Sequence, residues 1–341
     1  MQFRYPSYCD RFRCIAGKCT DNCCIGWEID IDSDTLAYYN SLSGSFGKRL
    51  EQSIADGCFL LSEGERCPFL NSSNLCDIFT ELGEEHLCQI CTDHPRYYEW
   101  FGHVKEGGIG LCCEEAARII LSEDLVLTER EIPGEECDGC DAELFRVLLA
   151  ARDTMIGHLQ NDAFPESVGA MLDFAEELQS RIDNGDFTLP AFERRTKSEA
   201  ADLQGMLQFY TTLEPIDDAW VPYISHCAAL ADGIPPLQPE HVPYLQRIAV
   251  YFLFRYFMKG VFDGEILSRV KLAAVSTWMI GFLWRCVLQE RHSLSFEEMV
   301  QTAKNYSKEV EYSEENLDCL ADAFYEETYF DTPHIIGALE G

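Results

Sequence analysis

The 341-residue chain carries 59 Asp and Glu against 26 Lys and Arg, a formal net charge of −33, and its 47% hydrophobic content suffices for the cores of about two domains. The acidity is spread rather than confined to a tail: residues 1–140 hold 11 basic and 26 acidic side chains, and residues 141–341 hold 15 and 33. Such a field repels nucleic acid and anionic lipid, which excludes both as expected partners; it favours solubility and attracts a basic, lysine-bearing protein surface.

The opening MQFRYPSYCDRF has neither the basic start, the apolar stretch nor the small-residue cleavage site of a secretory leader, and no uninterrupted apolar run reaches the ~20 residues that span a bilayer. A cytoplasmic protein without a membrane anchor is therefore expected. Seventeen cysteines are unusual in a reducing compartment, and fourteen of them lie in residues 1–140. Cys227, Cys286 and Cys319 lie beyond and read as small packing residues.

Residues 1–131 are rich in cysteine, glycine and short polar turns and read as a cysteine-rich metal-binding module. Within it, residues 36–50 have helical periodicity, with room to continue to Ile54, and CEEAARIIL (residues 113–121) predicts a second helix. The sequence EGGIG (residues 106–110) imitates a nucleotide-binding glycine loop, but no strand–turn–helix pattern surrounds it, so it reads as a tight turn leading into Cys112 and Cys113. The acidic, Pro- and Gly-containing stretch at residues 132–141 reads as a linker.

Residues 142–341 are helical almost throughout. Apolar residues recur at three- and four-residue spacings over 144–159, 168–182 and 203–213, each an amphipathic helix. Residues 244–258 and 266–288 are apolar nearly all round, as central bundle helices are; within the latter, LAAVSTWMIGFLW is too short to span a membrane and reads as buried. Ser295 and Glu298 form a capping box for the next helix, and Ser313 caps a last one reaching Tyr329. The expected fold class is mainly α: a cysteine-rich metal-binding module followed by an α-helical domain.

The thiols are spaced as ligands. Cys14, Cys19, Cys23 and Cys24 come first, then Cys67 and Cys76, then the Cys88-x-x-Cys91 pair, then Cys112 and Cys113. Polarisable thiolates suit zinc or iron–sulfur clusters, and a two-residue gap lets both sulfurs of one turn reach the same ion. Adjacent cysteines are expected to point apart, so one of Cys23 and Cys24, and one of Cys112 and Cys113, would face a given metal. Cys19-x-x-x-Cys23 begins the loop motif of radical enzymes that cleave S-adenosylmethionine, but its third position is Gly26, which argues against a standard radical site.

These blocks resemble the flagellin lysine-N-methylase family: CIAGKCTDNCCIGWEIDID (residues 14–32), CPFLNSSNLCDIFTELGEEHLCQICTDHPR (67–96) and GLCCEEAAR (110–118), with YFLFRYFM (251–258) and YSEENLDCL (312–320) similar to its C-terminal pattern. The likeness extends over nearly the whole chain; the middle block alone also resembles small cysteine-cluster domains that chelate zinc or iron. The resemblance implies methyl transfer from S-adenosylmethionine to lysines of flagellin by a protein holding a 4Fe-4S cluster, with zinc as the alternative. The metal ligands it carries over are Cys14, Cys19, Cys23, Cys24, Cys67, Cys76, Cys88, Cys91 and Cys113. Two departures stand out: Cys112-Cys113-Glu114-Glu115 replaces the family's Ser-Cys-Pro-Glu, and His94-Pro95-Arg96 replaces its Tyr-Pro-Arg. Cys137 and Cys140 match nothing in the pattern, and read as a local disulfide or idle thiols.

Methylation of an amine requires only a neutral nucleophile aligned with the sulfonium, so a cluster would position the cofactor or support the fold rather than make the bond. Trp27, Tyr97, Tyr98 and Trp100 form a candidate aromatic wall for a lysine stem, with ordinary packing as the alternative. Asp30, Asp32, Asp93 and His94 are candidate bases or cation contacts, equally readable as helix caps or surface charges, and Arg96 is a candidate carboxylate partner. The competing functional classes are a non-catalytic metal-binding module on a helical scaffold and an iron–sulfur redox protein.

Overall fold

A computed structural model describes residues 1–134, 137 and 139–341. The predicted linker at 132–141 thus includes Glu135, Glu136 and Asp138, which lie outside the described residues. In chain order the elements are β1 (Gln2–Pro6), α1 (Ser33–Ser41), α2 (Gly44–Gln52), β2 (Ile54–Ala55), β3 (Cys58–Phe59), α3 (Asp77–Leu82), α4 (Gln89–Asp93), β4 (Arg96–Phe101), β5 (Val104–Ile109), α5 (Glu114–Ser122) and β6 (Leu127–Glu131). There follow α6 (Ala142–Asn161), α7 (Glu166–Asp183), α8 (Leu203–Tyr210), α9 (Trp220–Leu230), α10 (Val242–Tyr256), α11 (Gly260–Asp263), α12 (Leu267–Arg291), α13 (Phe296–Glu311), α14 (Glu314–Glu326) and α15 (Thr332–Glu340). The chain is mainly helical, as expected.

The sequence reading missed the sheet. Four strands run in the order β4–β5–β1–β6; β1 lies parallel to β5 and antiparallel to β6, and β4 and β5 form a hairpin. The glycine-rich stretch read as a turn is instead the second half of β5, with Gly107 opposite Tyr98 and Gly108 opposite Tyr97. Glycine is required there because rings cover both positions: a Cβ on Gly107 would meet Tyr98 at 2.9 Å and Phe3 at 3.0 Å, and one on Gly108 would approach the Tyr97 hydroxyl within 2.5 Å of the ring carbon that bears it. The single helix predicted over 36–50 is two, α1 and α2, interrupted at Leu42 and Ser43. The last predicted helix stops at Glu326 rather than Tyr329, with α15 following.

Packing divides the molecule into two cores. The larger joins Phe101, Val104 and Ile109 of the sheet and most of α5 to the helices from α6 onward. At its centre α12 is buried along most of its length; it is long and apolar enough to cross a membrane, but 89% of its most apolar stretch is covered by protein. The capping box of Ser295 and Glu298 opens α13 as read, and Ser313 caps α14. The smaller core gathers Ile29, Ile31, Tyr39, Leu50, Phe59, Phe69, Leu70 and Ile78, with Cys67 and Cys88 buried among them.

One buried ion cluster ties the sheet to the helices. Glu106 of β5 accepts from Arg152 of α6 at 2.5 and 2.7 Å, with Arg4 of β1 at 3.4 Å. Arg152 is fully buried and also donates to the Phe254 carbonyl of α10 at 3.3 Å. Removing one partner of a buried pair leaves an uncompensated charge, so Arg152→Met is expected to lower stability by about 3–5 kcal/mol. The drop is read from the urea midpoint; the Glu106→Gln/Arg152→Met double variant should recover part of it, and a loss below about 1 kcal/mol would show that the cluster is not holding the layers together.

Candidate functional site

The structure draws most of the candidate thiols to one edge of the smaller core. Cys24, Cys67, Cys76, Cys88 and Cys91 pack in or against that core, and each lies within electrostatic reach of others in the set. Cys88 and Cys91, at the first turn of α4, act on one another electrostatically, Cys88 being pulled down and Cys91 pushed up, and the adjacent Cys23 and Cys24 do the same, Cys23 down and Cys24 up. Cys19 and Cys113 flank the group: Cys113 lies within electrostatic reach of both Cys19 and Cys23. Cys14 stands apart, exposed, with its Sγ accepting from the Ala16 amide at 3.4 Å.

Three of these cysteines occupy helix N-cap positions, Cys76 on α3, Cys88 on α4 and Cys113 on α5. A helix start presents amide N–H groups that favour a thiolate. Burial opposes this: it pushes Cys113 up to about 12 and Cys67 up to about 11, against the pull of neighbouring amides. The protein alone therefore holds Cys113 and Cys67 as neutral thiols, whereas the neighbouring Cys91 thiol pulls Cys88 below the ordinary thiol value.

The Cys112 and Cys113 side chains do diverge. The Cys112 thiol, pushed up to about 12 by burial, donates to the Tyr312 hydroxyl at 2.8 Å, while Cys113 faces Cys19 and Cys23. Behind them the Leu111 amide donates to the Tyr251 hydroxyl at 3.0 Å. Tyr251 in turn donates to Glu311 at 2.9 Å, as does Tyr256 at 2.8 Å, and Ser307 donates to the other carboxylate oxygen at 2.5 Å. Arg255 reaches the Tyr251 hydroxyl at 2.6 Å and Glu311 at 3.3 Å, with its guanidinium over the Tyr97 ring. This network escaped the sequence reading. Its signal was present as Tyr251, Arg255 and Tyr256, polar tips on an otherwise apolar helix at spacings of four and one.

The candidate aromatics separate. Trp27 stacks on Tyr312 at 4.8 Å with 17° between planes, its indole N–H donating to the Cys23 carbonyl at 2.7 Å. His94 completes the group at 5.8 Å from Trp27, and burial pushes its imidazole down to about 4, so it is neutral at pH 7. Tyr98 and Trp100 instead sandwich the Lys105 ammonium at 4.0 and 4.7 Å, and Tyr97 belongs to the Arg255 network. The acids mostly hold structure: Asp32 caps α1 and accepts from the Gln89 amide, Asp93 accepts from Gln89 and Asp30 from Cys58. Arg96 lies over the Phe12 ring.

As a donor set, the thiol group suits a soft metal: sulfur from three separated segments, two of it in a Cys-x-x-Cys turn. Among the described residues, no three His, Cys, Asp or Glu side chains already stand close enough to hold an ion, so metal binding would require sulfurs to turn toward one another. Cys137 and Cys140 are both free thiols rather than a disulfide.

Comparison with known proteins places residues 236–338 in register with the family model of the FliB lysine N-methylase C-terminal domain. The lysine-N-methylase of Salmonella typhimurium strain LT2 is 28% identical over 142 residues, covering 37% of this chain and 35% of that protein. The flagellar biosynthetic protein FliU of Salmonella muenchen is 27% identical over 131 residues, covering 35% of this chain and 76% of that protein. The match thus spans about a third of the length of the curated lysine-N-methylase. No solved structure matches. The C-terminal part of the resemblance, YFLFRYFM and YSEENLDCL, lies within the matched residues, and the relatives' names support the likeness to lysine N-methylases.

Tyr251→Phe removes the acceptor of a buried amide as well as a donor to Glu311, and is expected to cost about 1–3 kcal/mol. Tyr256→Phe removes only the donor and should cost less. Thermal unfolding orders the two, and reaction of Cys112 with a soluble disulfide reagent should speed up in Tyr251→Phe alone; equal behaviour of both variants would show that the Leu111 contact does not hold the loop.

Proposed function

We propose, from the match of residues 236–338 to a lysine N-methylase C-terminal domain, that the protein transfers a methyl group from S-adenosylmethionine to lysine side chains of flagellin. In this reaction a neutral lysine amine attacks the methyl carbon, the new N–C bond forms as the C–S bond breaks, S-adenosylhomocysteine leaves and the amine proton passes to a base. One observation carries the reading. Helices α10 and α13, both inside the family-matched segment, hold the Leu111 amide at the edge of the thiol group through Tyr251 and its Glu311 partner, and Tyr312, just past α13, accepts from the Cys112 thiol.

The residues proposed to hold a 4Fe-4S cluster are drawn from Cys23, Cys24, Cys67, Cys76, Cys88 and Cys91, with Cys19 and Cys113 at their flank. Bound there, a cluster would supply either an open iron for the amino and carboxylate groups of S-adenosylmethionine or a cross-link between segments. The chain's own contribution is positional: Tyr312 and Trp27 present aromatic faces beside the thiols, and the neutral His94 adds no charge that would repel a sulfonium or ammonium.

Protein purified without oxygen is expected to absorb broadly near ~400 nm with matching iron and sulfide. Cys88→Ser and Cys91→Ser should lose that absorbance, as should chelator-treated protein, whereas Cys319→Ser on α14 should keep it. Equilibrium dialysis should show a saturable S-adenosylmethionine site, and mass spectrometry should show methylated lysines on flagellin incubated with both. Colourless protein with stoichiometric zinc overturns the iron–sulfur part; absence of a cofactor site overturns the methylase reading itself.

A further inference from the structure

Beside Trp27 the surface opens into a groove of about 470 Å³ between residues 26–28 and the β2–β3 hairpin with the turn that follows it. Its walls are fixed by backbone bonds. The Gly26 amide donates to the Glu65 carbonyl at 3.1 Å, the Phe59 amide to Ile29 at 3.1 Å and the Ile31 amide to Gly57 at 2.8 Å. Buried Phe59 and exposed Leu60 supply an apolar lining, and the charged side chains that line it, Glu28, Asp56 and Glu65, are all carboxylates. Cys58 adds no charge, its thiol donating to Asp30 at 3.0 Å.

Trp27, which lines the groove, also takes part in seating a lysine of the chain's own. The Lys308 ammonium lies 5.4 Å from the Trp27 ring centroid and 3.5 Å from the Asp21 carboxylate. A Cβ on Gly26 would stand 4.0 Å from its Nζ, an ordinary van der Waals separation. Gly26 has φ +92°, a conformation that suits glycine and keeps this end of the groove clear. Indole face, flanking carboxylate and open backbone are the elements that bind an alkylammonium.

We propose that this groove docks the lysine-bearing segment of the protein substrate, its aliphatic stem along exposed Leu60 and its cation held by the carboxylates of Glu28, Asp56 and Glu65. The proposal rests on the methyltransferase reading and adds the place of entry. A lysine's long apolar stem and terminal charge match an apolar floor with an acidic rim, and the chain's charge of −33 favours the approach of any basic segment.

The test uses the full chain and a short fluorescein-labelled peptide with one central lysine, alongside the same peptide carrying norleucine. Fluorescence anisotropy should show saturable binding of the lysine peptide, weakened by added salt, and far weaker binding of the norleucine form. The triple variant Glu28→Gln/Asp56→Asn/Glu65→Gln, at three exposed positions whose substitution leaves both cores intact, should bind the lysine peptide about tenfold more weakly. Unchanged binding by this variant, equal binding of the two peptides or no binding at all overturns the groove. Flagellin methylation measured on the same proteins separates the two readings. Methylation by the triple variant at the wild-type rate removes the groove and leaves the methylase standing; groove-dependent peptide binding without methylation by the wild type removes the methylase and leaves a docking site.

Discussion

A buried carboxylate cannot remain charged without donors, and Glu311 is fully covered. Three hydroxyls and a guanidinium converge on it, from Tyr251, Tyr256, Arg255 and Ser307, so α10 and α13 are locked in one relative position. Because Tyr251 also takes the Leu111 amide, the loop bearing Cys112 and Cys113 is fixed to the same point. The thiol edge therefore inherits its placement from the helical bundle. That dependence physically connects the family-matched residues 236–338 to cysteines that lie outside them.

The sheet supplies the second fixed point. Strand β5 carries Glu106, held by Arg152 and Arg4, and runs directly into Gly110 and the Leu111–Cys113 loop. Its far end is thus anchored by charge and its near end by the Tyr251 hydroxyl. Gly107 and Gly108 are the cost of laying Tyr97, Tyr98 and Phe3 flat across the strand, and Tyr97 then offers its ring to Arg255. A single strand links the ion cluster of the larger core to the network behind the thiols.

The helices of residues 142–341 were legible because a helix writes its buried face into local spacing, and the Ser295–Glu298 box marks its own start. The clustering of thiols was legible from composition. The sheet was not, because its pairing is non-local: Gln2 pairs with Val104, and a five-residue strand containing a buried arginine shows no clean alternation. Glycines that deplete a strand statistically were read as a turn, when the rings that demand them lay on strand β4 and at Phe3.

On the proposed reading, the groove and the thiol edge answer opposite electrostatic demands. Carboxylates that attract a lysine also stabilise its charged form, and an ammonium has no lone pair to attack a sulfonium. The acids of the groove would therefore hold the substrate while opposing the reaction. The Trp27 end differs in kind. Asp21 is already engaged by Lys304 at 2.9 Å and Lys308 at 3.5 Å, His94 is a neutral imidazole, and Cys112 and Cys113 are neutral thiols because burial pushes both up to about 12. A lysine that leaves the acidic rim toward the thiol edge would pass from a field that keeps its proton to one where the nearby Lys304 and Lys308 ammoniums disfavour a further positive charge. On that reading, separating attraction from deprotonation along one path would let a strongly acidic protein act on an amine.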